Sequence, residues 1–123
     1  MPRSKILVVD DEKVIADSLR LIFAKEGYDC RAVYSAEQAL EVIGHWVPDL
    51  AIVDVILPSM SGIDLAILLK SSHPSTLVML ISGQLATGAL VDGAAKRGFE
   101  FKILSKPVPV TEMLANASKL LSQ

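Results

Sequence analysis

A single cysteine, Cys30, leaves no partner for an internal disulfide and excludes a cysteine-rich zinc site. No apolar run is long enough to cross a bilayer, because charged or turn residues interrupt each one. The opening Met1-Pro2-Arg3-Ser4-Lys5 is too short and polar for a secretion signal, and the apolar stretch behind it runs into Asp10 and Asp11. Neither sign of charge dominates. Twelve Lys and Arg stand against fourteen Asp and Glu, a net charge of −2, so the basic footprint of a nucleic-acid binder is absent. Internal repeats, low-complexity tracts, linkers and a helix-turn-helix are also missing. The expectation is a soluble cytoplasmic protein that binds neither membrane nor nucleic acid directly. Hydrophobic residues are plentiful, at 51% of 123, which suits one cored domain over residues 1–123.

Those hydrophobic residues fall into two alternating patterns. Lys5 to Val9, Asp49 to Val53 and Thr76 to Ile81 are nearly unbroken apolar runs rich in β-branched residues, the mark of strands buried on both faces. Tyr28 to Val33 and Phe101 to Leu104 read as weaker strands nearer an edge. Between them lie helical spacings. Ile15, Leu19, Ile22 and Phe23 form one stripe, stopped by Gly27. Ser35-Ala36-Glu37-Gln38 has capping-box form ahead of Ala39, Leu40 and Ile43. Ile63, Leu65, Ala66 and Leu69 precede His73-Pro74, and Met113, Leu114, Ala117, Leu120 and Leu121 close the chain. Leu85 to Arg97 is the poorest helix candidate, since Gly88 and Gly93 each cost about 1 kcal/mol against Ala. Five strands and five helices in alternation require an α/β fold, a doubly wound parallel sheet with helices on both faces. In such folds the site lies at the carboxyl ends of the strands, where strand order reverses.

Polar residues stand at those ends. Asp10 and Asp11 follow the first strand, Asp54 the third, Ser82 the fourth and Lys106 the fifth. Three carboxylates in one place repel, with two unit charges about 4 Å apart costing on the order of 4 kcal/mol at an effective dielectric near 20. Lys106 offsets part of this, and a hard divalent cation would offset more. An all-oxygen donor set suits Mg²⁺, and no His or Cys lies in these loops to favour zinc or copper. A carboxylate can also take a phosphoryl group as an acyl phosphate. Asp54 as acceptor, Mg²⁺ on Asp10 and Asp11, Lys106 as cation and Ser82 as hydroxyl donor fill the roles that phosphoryl transfer needs. Taken singly, each has a plainer reading. Asp10-Asp11-Glu12 would cap the first helix, Asp54 would be a loop residue, and Ser82-Gly83 and Lys106-Pro107 would be turns. Their joint occurrence at strand ends favours the chemical reading.

Over essentially its whole length the sequence resembles a response-regulator receiver domain. The resemblance rests on Ile6-Leu7-Val8-Val9-Asp10-Asp11, on Asp54-Val55-Ile56-Leu57-Pro58-Ser59-Met60-Ser61-Gly62, on Ser82-Gly83 and on Lys106-Pro107. It implies a flavodoxin-like sheet of strand order 2-1-3-4-5. It implies phosphoryl transfer to Asp54 from the phosphohistidine of a histidine kinase or phosphotransfer protein. Asp10, Asp11, Asp54 and the backbone carbonyl of Ile56 would hold Mg²⁺, Ser82 and Lys106 would bind phosphoryl oxygens, and Lys106-Pro107 would be cis. The chain would not be a turnover enzyme. It would change its affinity for a downstream protein, as a monomer or a phosphorylation-dependent dimer.

Three departures stand out. Ile103 occupies the place where the family usually has an aromatic residue, with Phe101 two residues earlier on the same strand face. Gly98 to Lys106 is one residue longer than usual, so a bulge is expected before the fifth strand. Leu57 replaces the usual Met. Ile56, apolar beside the acceptor, offers no hydrogen bond to orient water, so slow self-dephosphorylation is expected, with Gln84 the other residue near that path. The weak segment Leu85 to Arg97 is a candidate for repacking on phosphorylation. Rival readings are a pseudo-receiver acting only as an interaction module, an aspartate-nucleophile phosphatase and a flavodoxin-like cofactor binder. The phosphatase wants an acid where Ile56 stands, and an acidic first loop would repel a flavin phosphate. His45 and His73 read as surface residues, Trp46 as a cover for the sheet edge, Cys30 as a small buried hydrophobe, Met79 as core and Met60 as site rim. Lys96, Arg97 and Lys102 form a modest basic cluster.

Overall fold

The structure, a computed structural model, describes residues 3–83, 92–93, 95–99 and 101–122. Five parallel strands form one sheet: β1 (Lys5–Val9), β2 (Asp29–Val33), β3 (Leu50–Asp54), β4 (Leu77–Ser82) and β5 (Lys102–Ser105), in the order β2-β1-β3-β4-β5. Four helices are delimited among the described residues: α1 (Lys13–Lys25), α2 (Ala36–Ile43), α3 (Gly62–Ser72) and α4 (Val110–Leu121). The fifth expected helix spans 85–97, of which 85–91 and 94 lie outside the described residues, as does Gln84. Asp92, Gly93, Ala95 and Lys96 are helical.

Strand alternation divides the core into two layers. Leu7, Val9, Ala51, Val53 and Leu80 face α2 and α3, packing with Ala39, Ile43, Ile63, Ala66 and Leu69. Ile6, Val8, Leu50, Ile52, Met79 and Ile81 face the other way, onto Ala16, Leu19 and Phe23 of α1 and Met113 and Ala117 of α4. Burying a side chain of this size stabilises the fold by about 1.5–3 kcal/mol. The inner strands are buried on both faces, and the weaker β2 and β5 are the edges, as their composition implied. Trp46 is buried in the first layer, its ring covered by the Arg31 guanidinium at 4.4 Å.

Local signals set the helix ends. Gly27 has a φ of +97°, and its N–H donates to the carbonyl of Ala24 while that of Tyr28 reaches Phe23. This is a Schellman ending, completed by the edge-on contact of the Phe23 and Tyr28 rings. At α2, Ser35 Oγ accepts from Gln38 N–H, while the Gln38 amide oxygen accepts from Tyr34 N–H, one residue earlier than a strict capping box. Helix α3 is capped by Ser61 Oγ from Asp64 N–H.

Strands β3, β4 and β5 each begin and end one residue later than the sequence implies, and β2 begins one residue later. Asp54 and Ser82 are the last residues of β3 and β4 rather than the first beyond them, because parallel pairing continues through Asp54↔Ile81 and Ser82↔Ser105. Phe101 precedes β5. Pairing of β4 with β5 is unbroken from Met79↔Lys102 to Ser82↔Ser105, so no bulge falls within β5. Phe99, Phe101 and Ile103 all pack on the α2–α3 side, with the two phenyl rings stacked at 6.3 Å. Cys30 is half-buried, and burial pushes its thiol up to about 12. His45 is exposed, and His73 ends α3 at the opposite end of the sheet from Asp54.

Candidate acidic site

The reversal of strand order lies between β1 and β3, whose carboxyl ends bring Asp10 and Asp54 together. Each is tied down by its own loop. Asp10 Oδ1 accepts from Glu12 N–H at 2.9 Å, and Asp54 Oδ1 accepts from Ile56 N–H at 3.1 Å. These bonds to the residue two places on orient each carboxylate and hold the chain in a tight turn. Glu12 is the N-cap residue of α1 but makes no side-chain capping bond. Glu12 therefore does not cap α1 through its side chain, and Asp10 is turned onto the Glu12 N–H.

Carboxylate oxygens of Asp10, Asp11 and Asp54 all lie within 4.8 Å of one another. Asp10 and Asp54 are buried, at 2% and 5% exposure, while Asp11 is open to solvent. Lys106 enters from the β5 side. Its Nζ donates to Asp54 Oδ2 at 2.8 Å and stands 3.5 Å from Asp10 Oδ2 and 3.9 Å from Glu12 Oε1. Its backbone N–H donates to the carbonyl of Ser82 at 2.9 Å, which fastens the Lys106 turn to the end of β4. The Lys106–Pro107 peptide is cis. Ser82, buried at 7% exposure, sits at the same sheet end, one position beyond the Asp54↔Ile81 pair.

One lysine does not balance this cluster. Asp10 Oδ2 is buried and accepts no hydrogen bond. Burial raises the Asp10 pKa above the usual carboxylate value; the Glu12 N–H opposes the rise, the charge of Asp54 adds to it, and Lys106 opposes it. For Lys106 burial pulls the pKa down, but the hydrogen bond and charge of Asp54, with the charges of Asp10 and Glu12, outweigh it and leave the amine above its ordinary value. The lysine therefore stays charged at neutral pH. An orphaned buried carboxylate oxygen, two further carboxylates within reach and an all-oxygen donor set fit a small hard divalent cation.

An open cavity of about 310 Å³ adjoins the cluster, lined by Asp11, Glu12, Asp54, Ile56, Gly83 and Lys106. Ile56 is 50% exposed there, so an apolar side chain stands beside the Asp54 carboxylate. Of the residues singled out in the sequence, Asp10, Asp11, Asp54, Ile56 and Lys106 meet at this place, and Ser82 ends β4 at the same end of the sheet. Met60 is half-buried against the α2–α3 core rather than lining this cavity. Two residues named in the sequence were given no role in the site itself. Glu12 belongs to the electrostatic cluster, and its position directly after the acid pair was the available signal. Gly62 packs on the Asp54 backbone, and its place at the end of the Asp-x-x-x-Pro-x-x-x-Gly run was the signal there. Two larger cavities hold none of the acids of the cluster. One of about 530 Å³ is an apolar groove between α1 and α4, and one of about 510 Å³ lies at the far end of the sheet.

Comparison with known proteins matches residues 6–118 to the family described as the response regulator receiver domain. The chain is 37% identical over 78 residues to the DNA-binding response regulator MtrA of Mycolicibacterium smegmatis, covering 63% of this chain and 34% of that protein. It thus spans about a third of that relative's length. A solved CheY-like receiver domain protein from Methanospirillum hungatei superposes with a TM-score of 0.86 at 26% identity, over 98% of this chain and 94% of the other. The receiver domain of NtrX from Brucella abortus superposes with a TM-score of 0.83 at 31% identity, over 96% and 98%.

Proposed function

Because the chain belongs to the response regulator receiver domain family of two-component signalling, we propose that it takes a phosphoryl group on Asp54 from a phosphohistidine and thereby changes its affinity for a partner protein. The single observation that carries this reading is the meeting of Asp10, Asp11 and Asp54 around an orphaned carboxylate oxygen, with Lys106 bonded to the proposed acceptor.

In the proposed transfer, an oxygen of the Asp54 carboxylate attacks phosphorus. The new P–O bond forms as the P–N bond to the donor imidazole breaks, and the leaving nitrogen takes a proton. The bond from Ile56 N–H to Oδ1 holds the carboxylate in one orientation and leaves Oδ2, now bonded to Lys106, as the attacking atom. Lys106 then moves its hydrogen bond from that oxygen to a phosphoryl oxygen, so its charge follows the charge being transferred. Ser82 donates its hydroxyl to another phosphoryl oxygen. The Asp10, Asp11 and Asp54 carboxylates, with the Ile56 carbonyl, would hold Mg²⁺, which when bound neutralises charge on the incoming phosphoryl group. The chain supplies these groups once per transfer and is not a turnover enzyme.

We further propose one receiver unit over residues 1–123, acting in the cytoplasm. Its donor would be a histidine kinase or phosphotransfer protein and its output a protein target. It would make no direct nucleic-acid or membrane contact and act as a monomer or a phosphorylation-dependent dimer. Among the described residues no helix is long and apolar enough to cross a membrane.

The test uses acetyl phosphate and Mg²⁺ with intact-mass spectrometry. Wild type should gain one phosphoryl group, and Asp54→Asn none. A folded wild type that gains none points instead to a pseudo-receiver acting only through protein contacts.

A further inference from the structure

Tyr34, the residue after β2, is outside the acid cluster but is bound to α1, the helix that begins directly after Asp10, Asp11 and Glu12. Its Oη donates to Asp17 Oδ1 at 2.7 Å, and the Lys13 ammonium stands 5.3 Å from the centre of its ring. Lys13 and Asp17 are four residues apart, so they share one face at the start of α1. A second tie lies at the same corner, where Asp10 N–H donates to the carbonyl of Val33, one residue before Tyr34. The corner is itself held. Gln38 accepts from Tyr34 N–H at 2.8 Å, and Ser35 caps α2.

The start of α1 needs such a hold. Its N-cap residue Glu12 makes no side-chain capping bond, and no acidic residue lies in its first turn. Only Asp10, Asp11 and Glu12 separate β1 from α1, so any displacement of the helix passes directly to Asp11 and Glu12. Tyr34 also places Lys13. That ammonium follows three acids in the chain, yet it lies over the ring, and among the described residues Lys106 alone is ion-paired to the cluster. Groups that orient ligands from outside a metal site commonly set its affinity.

We propose that Tyr34 is a positioning residue. Its hydroxyl locks α1 through Asp17 and so fixes the Asp10–Glu12 loop in the geometry that takes a divalent cation, while its ring keeps Lys13 out of that site. This deepens, and rests on, the reading of the acid cluster as a cation site.

The test is calorimetric titration of Mg²⁺ into wild type, Tyr34→Phe, Tyr34→Leu, Asp17→Ala and the Tyr34→Phe/Asp17→Ala double variant. Thr76→Val serves as a control, because it removes a comparable hydroxyl bond, to the Pro48 carbonyl, at the far end of the sheet. Tyr34→Phe should weaken Mg²⁺ binding roughly tenfold, the lower end of what such supporting groups contribute. Tyr34→Leu should weaken it further, since Lys13 is then released. The double variant should bind no more weakly than Asp17→Ala alone. Thr76→Val should lower the unfolding midpoint and leave Mg²⁺ affinity unchanged. Wild-type affinity in Tyr34→Phe, or a loss no larger than that of Thr76→Val, would overturn the proposal. Amide exchange at Asp11, Glu12 and Lys13 in the metal-free proteins separates this role from the cation reading. Exchange should be faster in Tyr34→Phe. If it is unchanged, Tyr34 does not hold the loop; if folded wild type takes no Mg²⁺, the cation reading fails and the positioning role with it, whatever the exchange rates.

Discussion

Gly62, the first residue of α3, lies directly against the backbone of Asp54. A β-carbon at Gly62 would come within 2.0 Å of the Asp54 carbonyl oxygen and 2.9 Å of the Val55 α-carbon. The Gly62 N–H also donates to the Val55 carbonyl at 2.7 Å. The end of β3 and the start of α3 therefore meet backbone to backbone, and no side chain can relieve the contact. We predict that Gly62→Ala destabilises the protein by about 1–3 kcal/mol, the usual range for overpacking. The proposed acceptor should move with it, so phosphoryl uptake should fall more than the folded fraction does. Urea unfolding and intact-mass spectrometry on one preparation check both.

Asp10 is expected to cost the fold stability at neutral pH. Burial raises its pKa in the native state above its unfolded value, so the native state binds the proton more tightly. Its contribution is therefore most favourable below the unfolded value of 3.8 and is lost as pH rises through the folded value. Replacing Asp10 by Asn removes a buried charge and supplies an amide that can donate to Asp54. The variant should be more stable than wild type at pH 7 without divalent cation, by on the order of 1–3 kcal/mol, the cost of an unsatisfied buried polar group. The advantage should shrink in acid. Denaturant midpoints across pH measure it, and equal stability at neutral pH would count against the account.

Ile56 flanks the Asp54 carboxylate with a half-exposed apolar side chain. Water near an acyl phosphate there would find no hydrogen-bond partner on that side chain. Ile56→Asn should speed loss of the phosphoryl group by more than twofold, and by less than the ~100-fold a positioned proton-transfer group can give. Phosphate release after removal of the donor is the readout, and an unchanged rate would remove the idea.

Ser59, in the loop between β3 and α3, has a φ of +69°, which disfavours L-residues other than Asn, Asp and Gly. Ser59→Asn should raise stability by up to about 1 kcal/mol, because Asn tolerates this conformation and adds no backbone freedom to the unfolded chain. Thermal unfolding checks it. A lower midpoint would mean that the Ser59 side chain has a role the backbone argument omits.

Much of this molecule was legible before its structure, and the reason is periodicity. Ile6, Val8 and Leu7, Val9 alternate between two helical layers, so an unbroken apolar run already implied burial on both faces. Gly27 and Ser35 mark helix ends through local chemistry that depends on few neighbours. The ends of β3 and β4 were misplaced by one residue because polar Asp54 and Ser82 look like loop residues until their pairing partners are known. Glu12 was read only as a capping acid because its nearness to Lys106 is a contact across 94 positions of chain, outside any local pattern.

The sequence by itself determined the alternation of strands and helices, the two-sided core and the kinds of donor atom available at the strand ends. These follow from side-chain period and from local hydrogen bonding. Tertiary structure alone decided that Lys106 bonds Asp54 and only stands near Asp10, that one Asp10 oxygen is left without a donor, and that Tyr34 reaches Asp17. Those outcomes turn on differences of less than 1 Å between groups brought together by parallel pairing, where hydrogen bonds and buried charges are strongly distance-dependent. A linear pattern records which residues recur, and it carries no such distances.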